Sequence, residues 1–254
     1  MKASDRIIVA LDYDNPEKAI SVVEQLAPHV GLFKIGLQLI YAIFAGLVAC
    51  PDEQVAQGNL RIARNLFSLL KGKLFFDGKL HDIPNTMKGS AAEVAKLEPV
   101  MFNLHASADI DAMIDAVSKK GNSKVLAVTV LTSLGENISQ LIYGNHPGAA
   151  VLQFGRNAVL AGLDGLVCSP LEVPLIRARQ ELKNLLLVVP GIRPAWAVKG
   201  DQARTETPGG AIGAGADYLV IGRPITSPPA EIGSPVNAAE SIAEEIEAAL
   251  SARK

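Results

Sequence analysis

The segment from residue 75 to residue 84 combines acidic and basic side chains at the spacing of a β-strand. It reads FFDGKLHDIP, and because strand side chains alternate between two faces, Asp77 and Lys79 are predicted to share a face. A buried charge without a partner is too costly for folding, so further charges must compensate this pair, and Lys34 and Asp82 are the candidates. Two carboxylates would then alternate with two ammonium groups in one compensated, charged array.

A simple buried ion pair between Asp77 and Lys79 is the structural alternative. Buried ion pairs contribute little net stability, because the desolvation of both charges offsets their attraction. Strongly perturbed charges are, by contrast, concentrated at active sites. We therefore favour a catalytic role for this segment.

A second group of polar residues follows the last two apolar segments of the chain. Gly222 and Arg223 come directly after the last apolar segment. Arg193 follows the second-to-last apolar segment and stands between two prolines. A glycine lets backbone amides approach an oxyanion closely, and an arginine can bind it through two parallel hydrogen bonds. These residues predict a phosphate site. The alternatives are a surface salt bridge for Arg223 and an exposed turn for Arg193.

Short apolar segments recur along the chain and must position these side chains. Each is nearly continuous in apolar residues and is followed by polar, glycine or proline residues, as expected of strands buried on both faces of a parallel sheet. The eight segments are residues 7–11, 32–35, 74–76, 100–104, 125–131, 165–168, 185–189 and 218–221. Helical patterns separate them, such as the one that opens at Asn15 and the one that carries Ile62, Leu66 and Leu69.

Eight strand–helix units in about 250 residues predict the α/β class and a closed (β/α)8 TIM barrel. A doubly wound open sheet shows the same alternation and is the alternative. No linker divides the chain, so residues 1–254 are expected to form one domain. In a barrel the catalytic groups come from the carboxyl ends of several strands, which is where Asp12, Asp77, Thr132 and Arg223 stand. His105 also stands there, but it is more typical of a structural histidine.

Two further segments carry local predictions. Residues 51–59 are polar and interrupt an otherwise helical region, so they are expected to form a loop. Residues 209–215 read GGAIGAG, which lacks the G-x-G-x-x-G spacing of a dinucleotide site and precedes a strand instead of following one. We interpret this glycine-rich segment as the end of a helix that turns into the last strand.

The composition restricts the class of partner and the location. Lys and Arg total 24 against 26 Asp and Glu, a net charge of −2 without a basic run, which argues against a nucleic-acid or anionic-membrane partner. The longest apolar run, residues 39–50, has 12 residues, whereas a membrane span needs roughly 20. Cys50 and Cys168 have no metal-binding spacing and cannot form a disulfide framework. A cytoplasmic location is therefore predicted.

The motifs taken together resemble the orotidine 5′-phosphate decarboxylase family. Residues 77–86 read DGKLHDIPNT and are similar to that family's D-x-K-x-x-D-I-P-N-T signature. The supporting matches, in chain order, are VALD at 9–12, FKIG at 33–36, VTVLTS at 128–133, PGIR at 190–193 and residues 215–226. One departure is the 43-residue step from Lys34 to Asp77, which is longer than in compact members and places an extra segment near residues 51–59.

The resemblance implies an enzyme that acts on a small molecule without a cofactor or a metal ion. Orotidine 5′-phosphate would lose CO2 and give uridine 5′-phosphate, the last step of pyrimidine nucleotide synthesis. Members of the family are homodimers, so the resemblance also implies a homodimer with active sites at the subunit interface.

The resemblance also implies a role for each matching residue. Lys34, Asp77, Lys79 and Asp82 would form the charged catalytic array, with Lys79 as the proton donor and Asp82 contributed by the other subunit. Asp12 and Lys34 would hold the ribose, and Ile83 and Thr86 of the partner chain would complete the site around the base and the ribose. Thr132 and Ser133 would contact the pyrimidine. The phosphate would be bound by Arg193, Gln202, Gly222 and Arg223.

Two other functions remain open at this point. A Mg2+-dependent phosphosugar decarboxylase or synthase of the same superfamily shares D-x-K-x-x-D, but the continuation IPNT at residues 83–86 disfavours it. A non-catalytic barrel that binds pyrimidine nucleotides is the other alternative. The intact charged array disfavours a pure binding protein, which has little use for a proton-donating lysine.

Overall fold

The computed structural model of the protein describes residues 1–197 and 205–252. Its strands are β1 (Ile7–Ala10), β2 (Leu32–Gly36), β3 (Leu74–Leu80), β4 (Met101–His105), β5 (Lys124–Val128), β6 (Gly165–Val167), β7 (Leu186–Val189) and β8 (Tyr218–Ile221). Each strand pairs in parallel with the next, and β8 pairs in parallel with β1, so the sheet closes into a barrel. The predicted (β/α)8 TIM barrel is confirmed, and the open sheet is excluded.

Helices connect successive strands on the outside of the barrel. They are α1 (Pro16–Leu26), α2 (Leu37–Val48), α3 (Glu53–Leu69), α4 (Pro84–Ala95), α5 (Ile110–Val117), α6 (Glu136–Tyr143), α7 (Pro147–Leu160), α8 (Val173–Arg177), α9 (Pro208–Ala214), α10 (Arg223–Thr226) and α11 (Pro235–Ala252). The predicted start of α1 is confirmed, because the Asn15 side chain accepts a hydrogen bond from the Glu17 amide and Pro16 occupies the first helical position. Within the described ranges, no helix is both long and apolar enough to span a bilayer.

The alternation of side chains along each strand divides the core into two parts. Inward-facing apolar side chains form a floor inside the barrel: Ile8, Leu32, Phe75, Met101, Leu126, Val188 and Val220. Their neighbours along the strands, such as Val9 and Phe33, pack in the larger cluster that fills the space between sheet and helices. Because the period is two, the next inward positions on β2, β3 and β4 are Lys34, Asp77 and Asn103, which places polar groups directly above the apolar floor.

A close approach between β6 and β7 depends on the absence of a side chain at Gly165. A Cβ atom at this position would lie 2.7 Å from Leu186 Cβ and 2.9 Å from Leu126 Cδ2, and it would also meet the Leu186 carbonyl oxygen. Part of this contact is backbone, which cannot move aside without separating the two strands. A glycine at the start of β6 therefore helps to set the spacing of the barrel wall.

The predicted loop at residues 51–59 is wrong. Helix α2 ends at Val48 and α3 already begins at Glu53, after Asp52 caps it by accepting a hydrogen bond from the Val55 amide at 2.9 Å. The polar residues that suggested a loop belong to the solvent-facing first turns of an amphipathic helix, whose buried side lies further along at Ala63 and Leu66. The extra segment after β2 is thus helical.

The interpretation of residues 209–215 is confirmed. Thr207 caps α9 by accepting a hydrogen bond from the Gly210 amide at 3.0 Å, and the helix ends at Ala214. Gly215 follows with a φ of +125°, a conformation that favours glycine, and β8 begins three residues later.

Candidate active site

A cavity of about 640 Å3 opens at the carboxyl ends of the strands. Residues that follow or end nearly every strand line it, which is the position expected for the active site of a barrel. Eight residues proposed from the sequence are among those that line the cavity: Asp12, Lys34, Asp77, Lys79, Thr132, Arg193, Gly222 and Arg223. The structure therefore brings together side chains that lie up to 211 positions apart in the chain.

Asp77 lies at the centre of the charged cluster. Its Oδ2 is 3.1 Å from the Lys34 ammonium nitrogen, and its Oδ1 is 2.6 Å from the Lys79 ammonium nitrogen. The Lys34 ammonium also donates a hydrogen bond to Asp12 Oδ1 at 2.9 Å. The side chain of Asp77 is 9% exposed and that of Lys34 is 10% exposed, so these charges interact in surroundings that screen them poorly.

The cluster keeps its two most buried members charged. Burial by itself raises the pKa of the Asp77 carboxyl, but Lys34, Lys79 and a hydrogen bond from Asn103 outweigh it and hold the pKa below its ordinary value of 3.8. Burial by itself lowers the pKa of the Lys34 ammonium, but Asp77 and Asp12 outweigh it and raise the pKa above its ordinary value of 10.5. Asp77 is therefore an anion and Lys34 a cation at neutral pH.

The absence of a side chain at Gly36 leaves room for this cluster. A Cβ atom there would lie 2.7 Å from the Lys34 ammonium nitrogen and 3.2 Å from Asp12 Oδ1. Any larger residue at this position would push the Lys34 side chain away from its two carboxylate partners.

Asn103 is a site residue that the sequence analysis missed. It is 1% exposed on β4, its Nδ2 donates to Asp77 Oδ1 at 2.6 Å, and its Oδ1 accepts from the Lys79 backbone N–H at 2.8 Å. A signal for it was present in the sequence, because a lone amide inside an otherwise apolar predicted strand must find hydrogen-bond partners when the strand is buried.

Two guanidinium groups lie on the side of the cavity formed by β7 and β8. Both Arg193 and Arg223 line it, and Gly222 lies between β8 and Arg223. Partial burial lowers the pKa of the Arg193 guanidinium, and the positive charge of Arg223 lowers it further. An anion bound near both groups would interact favourably with their positive charges.

Several residues proposed from the sequence do not line this cavity. Asp82, Ile83, Thr86 and Ser133 are all exposed, and the Asp82 carboxylate accepts a hydrogen bond from the Ile83 amide at 2.7 Å. Ile83 is 66% exposed, which is unusual for a large apolar side chain. Gln202 lies outside the described residues.

His105 contacts other side chains at the end of β4. Its Nδ1 lies 3.1 Å from Ser107 Oγ, and its ring centroid lies 5.6 Å from that of His81. Burial lowers the pKa of the His105 imidazole, and the nearby His81 and Lys79 lower it further. Among the described residues, no group of three or more His, Cys, Asp or Glu side chains is arranged to hold a metal ion.

The fold and the cavity together define a class of protein. A closed parallel barrel carries ionised side chains at the carboxyl ends of β2 and β3, and a pair of arginines follows β7 and β8. This combination is typical of (β/α)8-barrel enzymes that bind an anionic ligand.

The particular family follows from comparison with known proteins. The chain belongs to the orotidine 5′-phosphate decarboxylase / HUMPS family, whose model matches residues 5–242. It is 41% identical over 245 residues to the orotidine 5′-phosphate decarboxylase of Anaeromyxobacter dehalogenans, covering 96% of this chain and 99% of that one. It is 40% identical over 242 residues to the protein of the same name from Thermobifida fusca, covering 95% of each chain.

A solved structure supports the same assignment. The crystal structure of orotidine 5′-phosphate decarboxylase from Lactobacillus acidophilus superposes on the chain with a TM-score of 0.72 at 30% identity, and covers 94% of this chain and 98% of that one. The resemblance stated from the sequence motifs is thereby confirmed at the level of the family.

Proposed function

We propose that this protein catalyses the decarboxylation of orotidine 5′-phosphate to uridine 5′-phosphate and CO2, the last step of pyrimidine nucleotide synthesis. The observation that carries the proposal is the buried Asp77 carboxylate, which holds one lysine ammonium group at each of its oxygens inside the cavity. Named orotidine 5′-phosphate decarboxylases that align with almost the whole chain support it.

The charges of the cavity suggest how the substrate is oriented. The phosphate, with two negative charges, would bind near Arg193 and Arg223, which both line this side of the cavity. The ribose hydroxyls would hydrogen-bond to Asp12 and Lys34, and the pyrimidine would lie near Thr132. In this orientation the carboxylated carbon C6 of the pyrimidine would lie near Asp77 and Lys79.

The chemistry needs a stabilised carbanion and a proton. When the bond between C6 and the carboxylate breaks, CO2 leaves and the electron pair stays on C6 in the plane of the ring, where resonance spreads it poorly. The Lys79 ammonium would stabilise this charge as it grows and then donate a proton to C6, and Lys79 would regain a proton from solvent. The Asp77 carboxylate would lie near the substrate carboxylate, and their repulsion would favour departure of CO2.

A homodimer with shared sites accounts for the exposed residues after β3. Asp82, Ile83 and Thr86 are exposed and do not line the cavity of their own chain, so they are available to complete the cavity of a second copy. Helix α2 exposes an apolar stripe made of Leu37, Tyr41, Phe44 and Val48, at 42%, 64%, 61% and 63% exposure, and Thr86 lines a surface pocket together with Leu37 and Tyr41. Such a stripe is typical of a surface that is buried by a partner.

The proposal extends to the whole chain and to its location. The barrel uses strands from Ile7 to Ile221 and α11 packs against its outside, so residues 1–254 are proposed to be one catalytic domain. A nucleotide-synthesising enzyme of this composition is proposed to work in the cytoplasm, with a small-molecule substrate and without nucleic-acid or membrane partners.

The name of the matching family is not limited to orotidine 5′-phosphate decarboxylase. A Mg2+-dependent phosphosugar decarboxylase or synthase is therefore the second candidate function. The geometry favours the first, because both oxygens of Asp77 already contact ammonium groups. A divalent cation at this carboxylate would meet two positive charges at short distance.

One assay separates these functions. In the presence of EDTA, the purified protein is expected to consume orotidine 5′-phosphate and to release uridine 5′-phosphate and CO2 in equal amounts. The loss of absorbance of orotidine 5′-phosphate measures its consumption. A protein that leaves orotidine 5′-phosphate unchanged but converts a phosphosugar, in a reaction that EDTA abolishes and Mg2+ restores, would be the phosphosugar enzyme. A protein that binds uridine 5′-phosphate but leaves orotidine 5′-phosphate unchanged would be the non-catalytic barrel, and the proposal would be wrong.

A further inference from the structure

We infer that Asn103 is a positioning residue for Lys79: its side-chain amide fixes the backbone conformation that directs the Lys79 ammonium to Asp77. The inference rests on the proposed function, because it concerns how the proton donor of that reaction is held. Asn103 does not line the cavity, and it acts through the two residues that do.

The pairing of β3 with β4 is irregular at the point where the charged residues stand. Phe76 pairs with Phe102 and Leu80 pairs with Leu104, so three residues of β3 lie opposite Asn103 alone. This bulge leaves backbone groups of β3 without their regular ladder partners. The Asn103 side chain supplies one such partner, because its Oδ1 accepts from the Lys79 N–H at 2.8 Å.

The bulge holds Lys79 in an uncommon conformation. Lys79 has a φ of +48°, in the left-handed region that glycine adopts readily and a residue with a β-carbon adopts only at a free-energy cost. A conformation of this kind persists only where surrounding contacts enforce it. The hydrogen bond from the Lys79 N–H to buried Asn103 is such a contact, and it acts on the backbone of the residue whose side chain carries the proton.

The other end of the same amide fixes the partner of Lys79. Asn103 Nδ2 donates to Asp77 Oδ1 at 2.6 Å, and the Lys79 ammonium contacts the same oxygen at 2.6 Å. One amide orientation satisfies both ends, since an N–H requires the oxygen and a carboxylate requires the NH2 group. Asn103 therefore sets the position of the ammonium relative to the carboxylate from both sides.

Two variants test the inference by activity. Asn103→Ala removes the amide, and Asn103→Leu removes it while keeping its approximate volume. Misplacing a reacting group by a fraction of an ångström slows the chemical step, so kcat is expected to fall about 10- to 100-fold in both variants. KM and the dissociation constant for uridine 5′-phosphate are expected to stay within about 2-fold, because the phosphate and ribose contacts remain.

Thr129→Val is the matched control for loss of a buried polar group. Thr129 is fully buried, and its hydroxyl donates to the Val167 carbonyl at 2.9 Å without contacting Asp77 or Lys79. This variant is expected to lose stability but to keep kcat. Unchanged kcat in Asn103→Leu, or an equal fall of kcat in Thr129→Val, would overturn the inference.

A stability measurement tests the backbone role without any assay of activity. Glycine adopts a φ of +48° without strain, so Lys79→Gly should make the Asn103 contact less important. Asn103→Ala is therefore expected to lower the urea midpoint less in the Lys79→Gly background than in the Lys79→Ala background, which lacks the same ammonium but keeps the strained φ, and amide exchange at Lys79 should quicken in Asn103→Ala alone. Equal shifts in both backgrounds would contradict the inference, whereas a wild-type protein inactive on orotidine 5′-phosphate would contradict only the proposed function.

Discussion

At the scale of single residues, one buried carboxylate organises the cavity. Asp77 contacts Lys34, Lys79 and Asn103, and Lys34 is shared with the more exposed Asp12. Because these groups are held in place before any substrate binds, little reorganisation is needed when charge develops on the substrate. The two predictions that follow separate the catalytic role of this cluster from its contribution to folding.

Lys79→Ala is expected to lower kcat by about 10³-fold or more, since it removes both the stabilising ammonium and the proton donor. Binding of uridine 5′-phosphate should persist, because the proposed phosphate and ribose contacts are retained. Steady-state kinetics and calorimetric titration measure the two effects. A kcat close to that of the wild type would show that another group protonates C6.

Asp77→Asn is expected to lower the free energy of unfolding by about 2 kcal/mol near neutral pH, because it removes a buried anion from its cationic and amide partners. The pKa of Asp77 lies below 3.8 in the folded protein, so its contribution is present above that value and is lost as the pH falls through the folded-state pKa. Urea unfolding between about pH 7 and pH 3 should therefore show a difference from the wild type that shrinks in acid. A difference that stays constant would mean that Asp77 is not preferentially ionised in the folded state.

The residues of this cluster differ in how far the sequence could predict them. Asp77 and Lys79 share a face through the period of two, and Lys34 lies in a neighbouring predicted strand, so local pattern was sufficient. Asn103 could not be assigned a role, because its contacts depend on which strand residue it meets across a bulge. The bulge itself leaves no signature in the pattern of apolar residues.

At the scale of elements, the strands were predicted more accurately than the helix boundaries. A buried parallel strand is a short apolar run, so the eight runs located the eight strands directly. The fifth strand was predicted to extend to residue 131, because apolar residues continue that far along the chain. In the structure it ends at Val128, where its pairing with β6 ends. The start of α3 was missed because the first turns of an exposed helix are as polar as a loop.

Gly165→Ala tests how closely two barrel strands must approach. The added methyl group would meet Leu186 and Leu126, including backbone, so the free energy of unfolding is expected to fall by about 1–3 kcal/mol. Gly58→Ala in α3 is the matched control, because a Cβ atom there meets nothing within 4 Å. The control should be neutral or stabilising, and urea unfolding measures both. If the two variants behaved alike, the close approach of β6 to β7 would have no energetic consequence.

At the scale of the whole molecule, three of the proposed site residues lie outside the cavity of their own chain. Asp82, Ile83 and Thr86 are exposed, and Thr86 lines a surface pocket together with Leu37 and Tyr41 of the apolar stripe of α2, which motivates the proposal of a shared dimer site. The homodimer itself stays a prediction, because the pattern of one chain defines which surface is apolar but not what covers it.

Mixed subunits test the shared site. When Lys79→Ala and Asp82→Ala subunits exchange, one of the two sites in each hybrid dimer contains neither substitution, so about a quarter of wild-type activity should return. Mixing Lys79→Ala with Asp77→Ala is the matched control and should return none, because both residues act within the same chain. Failure to recover activity after mass spectrometry has demonstrated subunit exchange would show that each chain works alone.

Closure of the barrel has a consequence for how the protein is made. Lys34, Asp77, Lys79 and Asn103 all emerge from the ribosome in the first half of translation, but β1 gains its second neighbour only when β8 has been synthesised. The half-barrel must therefore wait, with unpaired strand edges, for more than a hundred further residues before the barrel closes around its lysines and carboxylate. Nascent-chain protection by chaperones would matter most during that interval.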